Sequence, residues 1–201
     1  MLNGNKLVFI LPLILMGFIF YGGYSYLNES EYVTNEELQE TSVMEVSIGK
    51  MDQGYEITGS WNWNEVPVEG FLGEDYIGIT LMDQLNEPFL LEEGEIIENE
   101  LSLIHSGQEV WTTKGKWVET GMIFSFPNEL KDHESLGDQG QLKLVISSEE
   151  IEEPQVSMSY LHTWVEHQGL LLEEPRFLTP TFNGDQGKVP YWVIERIDHL
   201  Q

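Results

Sequence analysis

His162, Trp164 and Glu166 alternate along the chain, so on a β-strand they share one face with Met158 and Tyr160. An imidazole beside a carboxylate can act as a general base or supply half of a metal site. His167 lies an odd number of residues from His162, which on a regular strand turns it to the opposite face, so the two rings cannot share an ion. No nucleophile stands at a recognisable spacing from His162, and the chain has no cysteine. A histidine hydrogen-bonded at the rim of a core is the simpler role.

Trp61 and Trp63 form a second group. They continue the period-two face of Tyr55 and Ile57. Exposed, such a pair would stack on sugars or grip a peptide; buried, it would anchor a core. The segment Asn64–Asp75 that follows reads as a loop mixing apolar residues with carboxylates. Long loops on β-scaffolds often carry binding surfaces. The candidate binding surface is therefore Trp61, Trp63, Glu65, Phe71, Glu74 and Asp75, together with His162, Trp164 and Glu166.

Carboxylates also gather at Glu92, Glu93, Glu95, Glu98 and Glu100, and again at Glu149, Glu150, Glu152 and Glu153. Calcium takes about six to eight oxygens converging from turns, which two such runs on neighbouring loops could offer. The same charges serve equally to keep a strand edge from pairing with other chains. A carboxylate pair could also serve a hydrolase of wall polymers. No Gly-x-Ser-x-Gly, phosphate loop, His-Glu-x-x-His or dinucleotide fingerprint names a reaction, so the sequence favours a non-enzymatic role and assigns no cofactor beyond calcium.

Charge narrows the partners. The chain carries 35 acids against nine lysines and arginines, a net charge of −26. Lys6 is the only basic residue before residue 28, and no acid precedes Glu29. The body is thus acidic throughout and repels nucleic acid, whose binding rests on neutralising phosphates. Leu7–Leu27 is uncharged and long enough to cross a bilayer core of about 30 Å as a helix. Lys6 before it and Glu29, Glu31, Glu36, Glu37 and Glu40 after it put the N-terminus in the cytoplasm and the body outside. Tyr21, Tyr24 and Tyr26 suit a headgroup interface and an uncleaved anchor, while Gly23 and Ser25 leave cleavage as the alternative. Extracellular domains of eukaryotes commonly carry disulfides, so the lack of cysteine points to a bacterial envelope.

These residues need elements to hold them. Residues 28–42 read as an acidic stalk in which Thr34 and Glu37 form a capping box. From residue 43 to 201 the pattern is short period-two runs separated by Gly, Asn, Asp and Pro. Asp-Gln-Gly recurs at residues 52–54, 138–140 and 185–187 as a turn before each following run. Trp111–Val118 predicts a hairpin turning at Gly115, and Pro127–Lys131 a short helix. The expected fold is an all-β antiparallel sandwich behind one N-terminal transmembrane helix. From Ile77 to Leu103 the rhythm is strand, polar break, short strand, turn and strand. It resembles extracellular immunoglobulin-like domains, a likeness of spacing that implies a sandwich and carries no functional residue. The function expected is a membrane-anchored binding or assembly module engaging another envelope protein. The alternatives are a calcium-dependent envelope protein and a carboxylate-pair hydrolase.

Overall fold

The computed structural model describes residues 6–29, 33–131, 134–148, 151–184 and 189–200. The chain divides into two units, Met1–Tyr32 and Val33–Gln201. In the first, helix α1 runs Lys6–Glu29. Among the described residues no helix is long and apolar enough to cross a membrane. The side chains described in α1 are those of Pro12 and Ile14–Tyr24.

The second unit begins earlier than the stalk assignment allows. Val33, Asn35, Leu38 and Ser42 are all buried, so from Val33 onward the segment belongs to the body. The capping box forms: the Thr34 amide and hydroxyl both donate to Glu37 Oε2, and the Glu37 amide donates back to Thr34 Oγ1. These bonds hold the Glu37 carboxyl below its ordinary range. A short helix, α2 (Leu38–Thr41), follows.

Among the described residues eleven strands then form two antiparallel sheets. The first sheet has the order β1 (Val43–Met51), β2 (Gly54–Asn62), β9 (Gln139–Ile146), β4 (Ile96–His105), β5 (Gln108–Thr113). The second has the order β11 (Tyr191–His199), β10 (Gln155–Thr163), β3 (Leu72–Met82), β7 (Gly121–Lys131), β6 (Lys116–Val118), with β8 (Glu134–Leu136) also on β7. The sandwich is closed between β1 and β11, where the Ile48 amide donates to Asp198 Oδ2. Inward residues at period two, among them Tyr55, Ile57, Leu101, Leu103, Leu142 and Leu144, meet Ile77, Ile79, Phe124, Phe126, Met158 and Tyr160 of the facing sheet.

Three expectations need correction. Trp111–Val118 is not a hairpin: β5 pairs with β4 and β6 with β7, so Lys114-Gly115 carries the chain from one sheet to the other. Gly115 is required there by space, since a Cβ would lie 2.9 Å from Met122 and Phe124 atoms. Pro127–Lys131 is strand, because Phe124, Phe126 and Asn128 keep one period-two face turned inward through the proline. The loop after Trp63 ends at Phe71, so Asp75 lies inside β3 and is fully buried.

The two sheets differ in what covers them. β10 is buried at every residue, on both of its faces. Its outer side packs beneath residues 164–184, where Leu170 and Phe177 cover Tyr76, Ile123 and Leu161. Pro175 comes so close that a Cβ on Gly78 would lie 1.7 Å from its carbonyl oxygen. Arg176 Nε donates to Glu195 Oε1 at 2.8 Å and ties this cover to β11. Burial raises the Glu195 carboxyl, but hydrogen bonds from Arg176 and Ser157 outweigh that and leave it lowered. β2 in the first sheet instead alternates buried and exposed, so that sheet's outer face is open.

Gly78→Ala should lower the urea midpoint by the equivalent of about 1–3 kcal/mol; an unchanged midpoint would show that the cover is not seated on β3. Glu195 is lowered on folding, so its contribution is full above the unfolded carboxylate value and is lost as pH falls through the lower folded value. Glu195→Gln should therefore flatten the acid limb of a stability-against-pH curve. A limb unchanged in the variant would discount this contact.

Candidate functional site

Asp75 sits at 0% exposure where the ladder between β3 and β10 ends at Tyr76 and Leu161. One residue further along, its carboxylate replaces the ladder. Oδ1 accepts from the Thr163 amide and from Asn128 Nδ2, both at 2.9 Å. Oδ2 accepts from the Tyr160 hydroxyl at 2.6 Å and from His162 Nδ1 at 2.9 Å. All the acceptor capacity of a buried carboxylate is thereby used. Burial, then the Asp75 charge and hydrogen bond, push the Tyr160 hydroxyl far above its ordinary value, which keeps it a donor.

The partners fix the histidine's hydrogens. Asn128 spends its two amide hydrogens on Asp75 and on the Thr163 carbonyl at 2.7 Å, so His162 Nδ1 carries the proton directed at Asp75. On the other side His162 Nε2 lies 3.3 Å from Asn35 Oδ1. Asn35 Nδ2 already donates to Glu69 Oε2 and to the Gly70 carbonyl, which leaves its oxygen as the acceptor. Both ring nitrogens thus lie against acceptor atoms, Asp75 Oδ2 and Asn35 Oδ1. Aromatic rings enclose the imidazole: Trp164 stacks at 5.5 Å, Trp192 lies at 4.7 Å and Trp63 meets it edge-on at 4.9 Å.

Of the candidate surface, Trp61, Trp63, Phe71, Asp75, His162 and Trp164 do converge, but as core. Trp61 and Trp63 are 2% and 4% exposed, and Trp61 Nε1 donates to the Gly137 carbonyl. Glu65, Glu74 and Glu166 stay on the surface, where Glu74 accepts a hydrogen bond from Tyr76. The expected pairing of His162 with Glu166 is replaced by His162 with Asp75. A general base must reach the proton it abstracts; His162 is wholly enclosed and its outer nitrogen meets an asparagine. This geometry ties β3, β7 and β10 to the segment that holds Asn35. His167 lies apart from it, between Thr163 Oγ1 and the Gly169 amide.

What the cluster holds is the incoming chain. Asn35 is fully buried, and its carbonyl accepts from Trp192 Nε1 at 2.8 Å. Asn35, Asn128 and Trp192 were not among the candidates. Asn35 lay within the supposed stalk and Asn128 within the supposed helix, so nothing marked them as inward-facing.

The second feature is the open face of the first sheet, with a groove of about 520 Å³. Cross-strand register sets its polar residues in rows: Glu45, Ser60, Gln141, Ser102 and Thr112 in one, Ser47, Thr58, Lys143 and Glu100 in the next. Lys143 bridges Glu98 at 3.0 Å and Glu56 at 3.4 Å, and both hold its ammonium above its ordinary value. Among the described residues no group of three or more histidines and carboxylates is arranged to hold a metal ion. Glu149 and Glu150 of the second acidic run, and the Asp185-Gln186-Gly187 turn, lie outside the described residues.

No family model matches the chain, and no curated protein matches it. Among solved structures it is similar to one described as "AvmM Catalyzes Macrocyclization in Alchivemycin A Biosynthesis", at 10% identity over 84% of this chain and 94% of that one, with a TM-score of 0.35. A likeness that loose bears on neither fold nor activity here.

Asp75→Asn turns an acceptor into a donor opposite other donors and should cost about 3–5 kcal/mol in urea unfolding. Asn35→Ala should cost about 1–3 kcal/mol and open residues 33–42 to limited proteolysis. If both variants unfold like the parent, the cluster does not secure the segment.

Proposed function

We propose that this chain is a membrane-anchored, extracytoplasmic binding and assembly module of a bacterial cell envelope, working without catalysis and engaging another envelope protein. The observation that carries this reading is the way the chain enters the body. Only Ser30, Glu31 and Tyr32 stand between the last residue of α1 and Val33, and from there Asn35 is fastened to His162, Glu69, Gly70 and Trp192. A module that keeps a partner at a membrane needs a tether that does not peel from its body. The uncharged run Leu7–Leu27, with Lys6 before it and acids after it, supports a single-pass anchor with a cytoplasmic N-terminus. The immunoglobulin-like reading carries over as architecture: two antiparallel sheets face to face, a stiff support for a binding face. That face is the open side of β1, β2, β9, β4 and β5, since the other sheet is covered.

The test uses the full chain expressed in a bacterium. It should sediment with membranes, resist alkaline carbonate, and be cut by external protease in spheroplasts. A photocrosslinker replacing Thr58 on the open face should form discrete adducts, and one replacing Leu178 on the covering segment should not. Recovery in the soluble fraction, or protection from external protease, would overturn the anchor. Equal crosslinking from both positions would overturn the assigned face.

A further inference from the structure

We propose that the open face of the first sheet is built to take an extended, lysine- and arginine-rich segment of a partner protein. The inference rests on the binding face assigned above and names the chemistry it recognises.

Charge is the first reason. Five carboxylates, Glu45, Glu56, Glu98, Glu100 and Glu109, surround one lysine on this face. Lys143 neutralises the Glu56–Glu98 side, while Glu45, Glu100 and Glu109 take part in no ion pair among the described residues. Their charge is uncompensated and directed into the groove, which selects a cationic occupant.

Ser102 is the second, independent reason. It is 4% exposed, yet it lies on the groove side of β4, because Leu101 and Leu103 on either side of it point into the core. Its hydroxyl bonds no protein group among the described residues and opens onto the floor of the groove. Ser60 and Gln141 stand beside it in the same row, exposed and with their polar groups free to bond an occupant. Hydroxyls and an amide between carboxylates match what an extended peptide offers, namely backbone amides and carbonyls flanked by cationic side chains. The lining residues include no aromatic side chain, so the stacking platform a saccharide would use is missing from this groove.

The general negative charge of the chain attracts any polycation, and the test separates that from a built site. A fluorescent peptide of alternating lysine and serine is titrated into the detergent-solubilised full chain at moderate salt, and anisotropy gives the Kd. Glu100→Gln with Glu109→Gln should weaken binding about five-fold or more. Glu65→Gln with Glu93→Gln, the same charge change elsewhere, should weaken it less than about two-fold. Ser60→Leu with Gln141→Leu alters no charge and should also weaken binding about five-fold or more. Variants whose melting temperature stays within about 3 °C of the parent are folded and admissible; Ser60 is exposed, so a leucine is accommodated there. Equal losses from both charge pairs, an unaffected leucine variant, or no binding at all would each overturn the proposal. Discrete crosslinks from the Thr58 position alongside such a result would leave the binding face standing and sink only its cationic preference.

Discussion

A carboxylate enclosed in apolar surroundings is costly unless every lone pair is met and its charge is balanced. The lone pairs of Asp75 are met by groups drawn from several parts of the second unit. β10 supplies Tyr160, His162 and the Thr163 amide, and β7 supplies Asn128. The N-terminal segment reaches the same cluster through Asn35, and β11 through Trp192. The strands of the second sheet must therefore end at the right register, and the first turn after Val33 must seat correctly, for one buried carboxylate to be tolerated. Leu or Val at position 75 would pack without that demand; the polar cluster makes correct assembly of four segments a single condition.

That condition sits at one end of an asymmetric sandwich. In the second sheet β10 and most of β3 are covered on both faces, because residues 164–184 fold over them and Arg176 pins that cover to Glu195. The first sheet is apolar only inward. Its outer rows of serine, threonine, glutamine and glutamate stay in water, as an antiparallel sheet with one solvated face allows. One layer is closed on both sides, and the other keeps one face in water.

The period-two strands were legible in the sequence, and so was the outward set Glu56, Thr58, Ser60 and Glu98, Glu100, Ser102, because alternation is a local property. The capping box of Thr34 and Glu37 was legible for the same reason. The convergence of Trp61, Trp63, Asp75, His162 and Trp164 was suspected from residue type, and a core role was open for the two strand tryptophans, but the burial of Asp75 was not foreseen, since a buried carboxylate is distinguished from a loop carboxylate only by partners far away in the chain. Thr163 and Tyr160 lie some distance in sequence from Asp75, and Asn128 looked like a helix residue beside Pro127. The crossing at Lys114-Gly115 failed similarly. A glycine between two strand-like runs fits a hairpin or a change of sheet, and only the packing of Met122 and Phe124 against it decides.

The fastening of Asn35 also has a mechanical meaning. Any pull delivered through the residues before Val33 enters the body at Val33, whose carbonyl accepts from the Val68 amide, and then at Asn35, ahead of β1 and its nine-residue pairing with β2. Tension thus meets the Val33–Val68 bond and the bonds of Asn35 to Glu69, Gly70, His162 and Trp192 before it meets the sheet. Rupture would take away the acceptor facing His162 Nε2 and bring water to a ring boxed by three tryptophans, so the body would register strain at this point as a local change in fluorescence and solvation while its strands remained paired.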